Sequence, residues 1–311
     1  MTSLVDALAQ EILDNIVDFA ALCTPPTHSS NSLTALIGKS RHFQHRCRTH
    51  LYKDIQLAER GVQQYNNSHL RRTLDLLQAI PSISAYVKQL TIRYHLKDID
   101  LEDLQDAWPD AQWVRRLVKR GQIVLRTLID MFRNVEVIEL IHQSTKFAQH
   151  RRLEHLLWDD MDKNLAKSLE RIAERSGHSL KNLKIIGMQK VPLRFLVGLH
   201  ALQNLTLGAG TTFYVTGSET NVVPWKLKAL FAPCGTEVLS PHISIPSSAY
   251  SQLTHLRLLF IKPEHHRKGW NLIDAAAATL AALVIEYQPY HNFQQENSKW
   301  YIDMVFLLHS F

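Results

Sequence analysis

Seventeen histidines in 311 residues invite a search for metal or acid–base chemistry. His42 and His45 stand three apart, with Cys47 and His50 close behind, and that spacing on a helix can put two ligands on one face. No C-x-x-C pair accompanies them, and Cys47 is out of register with both histidines. His265 and His266 are followed by Arg267 and Lys268 and read as an exposed loop. Asp160-x-Asp162-x-Asn164 opens like a calcium loop, but that loop needs Gly at its sixth position and Glu at its twelfth; Leu165 and Arg171 stand there. The stretch reads instead as the acidic first turn of a helix, where carboxylates favour the dipole. Gly208-Ala209-Gly210 lacks the third glycine and the following helix of a phosphate cradle. There is no G-x-S-x-G elbow, no Walker sequence, and no nucleophile with a base at a recognisable spacing. The expectation is a chain that binds rather than reacts, with no cofactor and no metal.

Composition bounds what it binds. The chain is 45% hydrophobic and 21% charged, which suits a folded protein with a sizeable core. Its net charge of +6 raises nucleic acid as a ligand, but the distribution argues against it. Residues 1–38 carry Asp6, Glu11, Asp14 and Asp18 and no Lys or Arg, whereas 39–53 carry Lys39, Arg41, Arg46, Arg48 and Lys53. That asymmetry is local; it suits either a solvated basic face or an acidic partner surface. Arg115, Arg116, Lys119 and Arg120 alternate with Val114, Leu117 and Val118, the pattern of a solvated helix face. The longest apolar run, 275–285, is too short to cross a bilayer. No basic residue opens a secretory leader. Cys23, Cys47 and Cys234 are odd in number and scattered, so they read as free thiols in the cytoplasm or nucleus. Neither nucleic acid nor membrane is expected as a partner.

What must position any binding residues is a recurring phrase. After Pro81, six-residue stretches carry apolar residues at their first, fourth and sixth places: VKQLTI from Val87, VEVIEL from Val135, LKNLKI from Leu180, LQNLTL from Leu202, LKALFA from Leu227, LTHLRL from Leu253 and LAALVI from Leu280. The starts lie 48, 45, 22, 25, 26 and 27 residues apart. In a strand, side chains alternate between faces, so the fourth and sixth places point into a core and the fifth points away. One such strand cannot bury its apolar side alone; stacked copies can, as a parallel sheet. Gln112–Phe132, Lys163–Arg175 and Leu272–Leu280 have the helical spacing of an outer layer, as does Val62–Ile80 before the first phrase. Lys299–Phe311 is apolar and reads either as a capping helix or as the place where a longer array stops.

The phrase and its last four intervals resemble leucine-rich repeats, whose period is roughly 20–29 residues. The regular repeat has Asn or Cys three places after the phrase; here His95, Gln143, Met188, Gly210, Gly235, Ile261 and Gln288 stand there, which predicts an irregular solenoid. Outward positions form the candidate substrate face: Gln89, Thr91, Glu139, Asn182, Lys184, Asn204, Thr206, Phe231, His255 and Arg257. Phe231 is either an aromatic anchor on that face or turned inward by irregularity.

The N-terminal stretch has its own logic. On a helical wheel, Leu8, Ala9, Ile12, Leu13, Ile16, Val17, Phe19 and Ala20 fill one half, and Gln10, Glu11, Asp14, Asn15 and Asp18 fill the other. An apolar half is wider than the usual stripe of somewhat over 100° and suggests burial on two sides. A second helical region is expected from Leu33 to about Thr49, broken near Gly38–Ser40, and a short strand over His50–Leu57. Leu8, Glu11, Ile12, Leu13, Ile16 and Val17, then Leu33, Leu36, Ser40, Arg41, Phe43, Leu51 and Tyr52, resemble an F-box, with Ala9 where that family usually has Pro and Phe43 as the nearest aromatic to its usual Trp. The combination with leucine-rich repeats resembles the expanded F-box-like families of mushroom-forming fungi.

The expected fold is α/β, in three parts: an F-box-like helical module over 1–57, a helical linker over 58–86, and an irregular leucine-rich-repeat solenoid with a curved parallel sheet over 87–311. The resemblance implies a substrate-recognition subunit of a Skp–cullin–F-box ubiquitin ligase. Leu8, Ile12, Leu13, Ile16, Val17, Leu36 and Phe43 would share adaptor and core contacts, the adaptor would bring the cullin, and the solenoid would hold a protein substrate. A leucine-rich-repeat scaffold without a ligase, its N-terminal helices acting as a cap, stands as the alternative.

Overall fold

The computed structural model describes residues 9–23, 32–37, 41–59, 68–94, 112–142, 156–208, 211–214, 226–233, 250–260, 265–287 and 302–307. The described strands, in chain order, are β1 (Asp54–Glu59), β2 (Gln89–Tyr94), β3 (Val137–His142), β4 (Leu156–Leu157), β5 (Asn182–Ile186), β6 (Met188–Gln189), β7 (Val191–Pro192), β8 (Asn204–Leu207), β9 (Phe213–Tyr214), β10 (Ala229–Pro233), β11 (His255–Phe260), β12 (Ala282–Tyr287) and β13 (Ile302–Leu307). Nine form one sheet in the order β1-β2-β3-β5-β8-β10-β11-β12-β13, which is also their order in the chain. The first eight run parallel. β4 with β6 and β7 with β9 make two small parallel pairs beside it. The predicted α/β class and large parallel sheet are present.

The phrases set the register. Leu90, Ile138, Leu183, Leu205, Leu230, Leu256 and Leu283, the fourth places, face one another strand by strand. The first, fourth and sixth places of all seven phrases are buried. The backbone repeats with them: the carbonyl of each second place accepts from the N–H groups of the second and third places of the next phrase, at 2.7–3.1 Å. Two hydroxyls add side-chain bonds from one phrase to the one before it. Ser179, just before one phrase, donates to the carbonyl of Val135 at 3.0 Å, and Thr279, just before another, donates to that of Leu253 at 2.9 Å.

An eighth phrase precedes the seven. Lys88 and Gln89 both donate to the Lys53 carbonyl, the same second-place bond as elsewhere. Tyr52-Lys53-Asp54-Ile55-Gln56-Leu57 therefore begins the array, with Leu57 fully buried and Ile55 packed against the core. A tyrosine in first place hid it.

Described helices are α1 (Gln10–Cys23), α2 (residues 32–37), α3 (Gln44–Tyr52), α4 (Ser68–Ala79), α5 (Gln112–Met131), α6 (Lys163–Ser176), α7 (Arg194–Val197) and α8 (His265–Ala276). Helix length follows the interval: the 48-residue step between phrases holds the 20 residues of α5, and the 22-residue step only the 4 of α7. α4 packs on α5, α5 on α6, and α6 on α7. Their buried faces (Leu70 and Leu77 in α4; Leu125, Leu128 and Ile129 in α5; Leu165, Leu169 and Ile172 in α6) join the strand leucines in one core. The stretch expected as a linker thus contributes α4 to that layer. Asp162 caps α6, accepting from the backbone of Asn164 and Leu165 at 3.0 Å each; the acidic stretch thus ends at the cap, and the first turn itself carries no acid.

Two expectations shift. Strand β1 starts at Asp54 rather than His50, because α3 runs on to Tyr52. The capping helix over Lys299–Phe311 is instead, over Ile302–Leu307, the antiparallel strand β13. The last parallel strand leaves a row of unpaired backbone groups, and an added strand satisfies them. No helix among the described residues is long and apolar enough to cross a membrane.

Candidate protein-interaction surfaces

The first surface is one side of α1. Leu13 and Val17 are buried in a small core of their own with Leu33, Phe43 and Cys47, flanked by Ala21, Leu36, Ile37 and Leu51. About 100° around the helix, Ile12 is 48% exposed, Ile16 41%, and beyond them Phe19 69% and Leu22 82%. The spacing of four, three and three keeps these four on one side of the helix. The residues expected to share adaptor contacts therefore divide: Ile12 and Ile16 are open, Leu13, Val17 and Phe43 are core, Leu36 is partly covered, and Leu8 lies outside the described residues. Phe19 and Leu22 complete the open stripe; Phe19 was already visible on the apolar half of the wheel.

The other flank of α1 is tied down by charge. Asp18 accepts from Arg46 Nε at 2.6 Å and Arg46 Nη2 at 2.7 Å, and His50 Nε2 lies 2.8 Å from the same carboxylate. The guanidinium, and then the imidazole, hold the Asp18 carboxyl far below its ordinary range. The carboxylate in turn raises the Arg46 pKa. The rest of the histidine–cysteine cluster does not converge. His45 Nδ1 lies 3.0 Å from the Tyr86 hydroxyl, Cys47 is in the core with its thiol pushed up by burial, and His42 is exposed.

The second surface is the face of the sheet opposite the leucines. Lys184, Asn204, Thr206, Phe231, His255 and Arg257 all fall on it, partly or well exposed. Thr91 falls there too but is only 3% exposed, 3.3 Å from the Glu139 carboxylate it donates to, and offers no surface. Glu139 also lies 3.9 Å from Lys184, and Asn204 donates to Asn182 on the next strand. Phe231 is half-buried with the Arg257 guanidinium over its ring, 4.9 Å from the centroid. Arg257 Nε donates to Glu286 Oε1 at 2.6 Å, and its Nη2 to the same oxygen. Phe231 and Arg257 hold fifth places in successive phrases, so their adjacency was open to reading; Glu286, a seventh place, was not singled out.

A polar cleft lies between α5 and α6. There Arg171 bonds Asp130 at 3.0 Å, and Arg194 bonds Glu170 at 2.9 Å. Paired charges of this kind lace helices together. Among the described residues no three His, Cys, Asp or Glu side chains group as metal ligands. Compared with known proteins, the chain matches no protein-family model and no curated protein sequence.

Proposed function

We propose that this chain is a substrate-recognition subunit of a Skp–cullin–F-box type ubiquitin ligase, working in the cytoplasm or nucleus and doing no bond chemistry itself. The N-terminal helices dock on the adaptor, and an irregular leucine-rich-repeat array holds the substrate protein. The observation that carries the reading is the stripe of Ile12, Ile16, Phe19 and Leu22, left open on a helix whose opposite side is already packed. Open apolar side chains in a row are a liability unless a partner covers them. Only Lys53 separates α3 from β1, so a docked adaptor is joined directly to the sheet. The module's basic residues also suit Skp-type adaptors, which by family resemblance are acidic.

The scaffold reading keeps one observation in its favour: α3 packs on the turn Pro81–Tyr86, as a cap on the array would. Co-purification with a fungal Skp-type adaptor separates the two. Wild type is expected to co-elute, and Ile12→Asp, exposed and so folded by circular dichroism, to lose it. A folded wild type that never co-elutes leaves the scaffold reading standing.

A further inference from the structure

Arg257 is an arginine with one edge used and, among the described residues, one edge free. Glu286 takes Nε and Nη2, which is the side-on edge of the guanidinium. The plane lies against Phe231, and the side chain is 54% exposed. That leaves the end-on edge, Nη1 and the outer hydrogen of Nη2, as a planar two-donor fork held in one orientation. Half-buried Leu259 and Val284 flank it on the same face, and an apolar surround strengthens whatever ion pair the fork makes.

A second observation gives the sign of the partner. The second places of the phrases form a row along the end where the strands begin. Lys53, Lys88, Lys181 and Lys228 stand in it, against one acid, Glu136. Glu136 is shared by Lys88 and Lys181 at 3.3 Å each, and Lys228 makes no ion pair among the described residues. The row keeps a positive surplus, and Lys228 stands just before β10, the strand paired with that of Arg257.

We infer that the β10–β12 face binds an acidic segment of a partner protein, one carboxylate of which takes the end-on edge of Arg257 while further carboxylates meet the lysine row. The fork matches carboxylate and phosphate geometry alike, so a phosphoserine peptide is measured beside the glutamate one. This rests on the sheet face being the substrate surface, and it names the substrate's chemistry.

Fluorescence anisotropy with the full-length chain tests it. The probe is a labelled peptide of alternating glutamate and serine, about twelve residues long and so able to cross most of the sheet when extended. A phosphoserine–serine and a lysine–serine peptide of equal length accompany it. The glutamate peptide is expected to bind, more weakly as salt rises. Arg257→Ala is expected to weaken it by about tenfold or more, and Arg257→Lys to recover only part, having the charge without the fork. No binding by wild type, unchanged binding by Arg257→Ala, or tighter binding of either other peptide overturns the inference. Arg257→Ala is far from α1 and keeps adaptor co-elution. Absence of peptide binding by wild type, with adaptor co-elution kept, therefore counts against the carboxylate site, and absence of adaptor co-elution by wild type, with peptide binding kept, against the ligase.

Discussion

The helical module and the sheet solve the same problem at different scales. In the sheet, dozens of apolar side chains from eight phrases and the outer helices meet in one core, and no single polar contact holds it together. In the module, five buried residues close a core of their own. So small a core stabilises little by itself, since each fully buried large apolar side chain contributes about 1.5–3 kcal/mol before entropy is charged against it. The Asp18–Arg46–His50 cluster supplies a second tie between α1 and α3. The difference teaches where each part is vulnerable: the sheet to loss of volume, the module to loss of charge as well.

The largest effect belongs to the sheet. Leu205 is 1% exposed and sits in register between Leu183 and Leu230. Its neighbours are fixed by strand pairing, so a cavity there collapses poorly. Leu205→Ala is expected to destabilise by about 3–5 kcal/mol, read from urea unfolding. A loss under about 1 kcal/mol would mean that the leucine ladder is not close-packed. Leu13→Ala, in the module, should cost less, about 2–3 kcal/mol, because that core has partly covered walls that can move in. Hydrogen exchange should show α1 opening while sheet amides stay protected. Equal loss in both regions would make them one cooperative unit and break the comparison.

Charge is the next test. Removing it with Asp18→Asn should cost about 1 kcal/mol, since both partners are partly exposed and solvent screens the pair. The pH dependence follows from the lowered Asp18 pKa. A carboxyl depressed in the folded state contributes fully above its unfolded pKa, near 4, and loses that contribution as pH falls from there toward the folded value. Wild-type α1 should therefore loosen on acidification below about pH 4, and Asp18→Asn should lack that component. Identical acid profiles would remove the ion cluster from the account.

Much of this was legible in residues 87–287, where leucines at first, fourth and sixth places announce strand, face and register together. The exception at Tyr52–Leu57 is instructive: Ile55 and Leu57 fit the pattern, but an aromatic first residue and the resemblance to a helical module drew the boundary two residues short of the strand's end. β13 was hidden for another reason, because its antiparallel pairing answers an open edge rather than a repeated phrase. On α1 the wheel showed an apolar half but not which part of it the chain would cover. That depends on where Phe43 and Cys47 lie, which is tertiary information. On the sheet face the outward positions were readable one by one. The clamp on Arg257 needed the register that brings Glu286, on the next strand, beside it.

The smallest expected effect is the one that separates the surfaces most cleanly. Ile12 and Leu13 are neighbours, but Leu13 is 2% exposed and Ile12 48%. Ile12→Ala should change stability by no more than about 0.5 kcal/mol, as exposed positions usually do. If Ile12→Ala instead destabilises like Leu13→Ala in the same urea series, the stripe is packed within the chain and has no need of a partner. If it is silent in unfolding and weakens adaptor co-elution, the contribution of Ile12 lies in binding alone. A residue whose type suits a core, whose removal leaves the fold untouched and whose loss is felt only by a partner belongs to an interface, and the four exposed apolar side chains in a row on α1 are where that test applies.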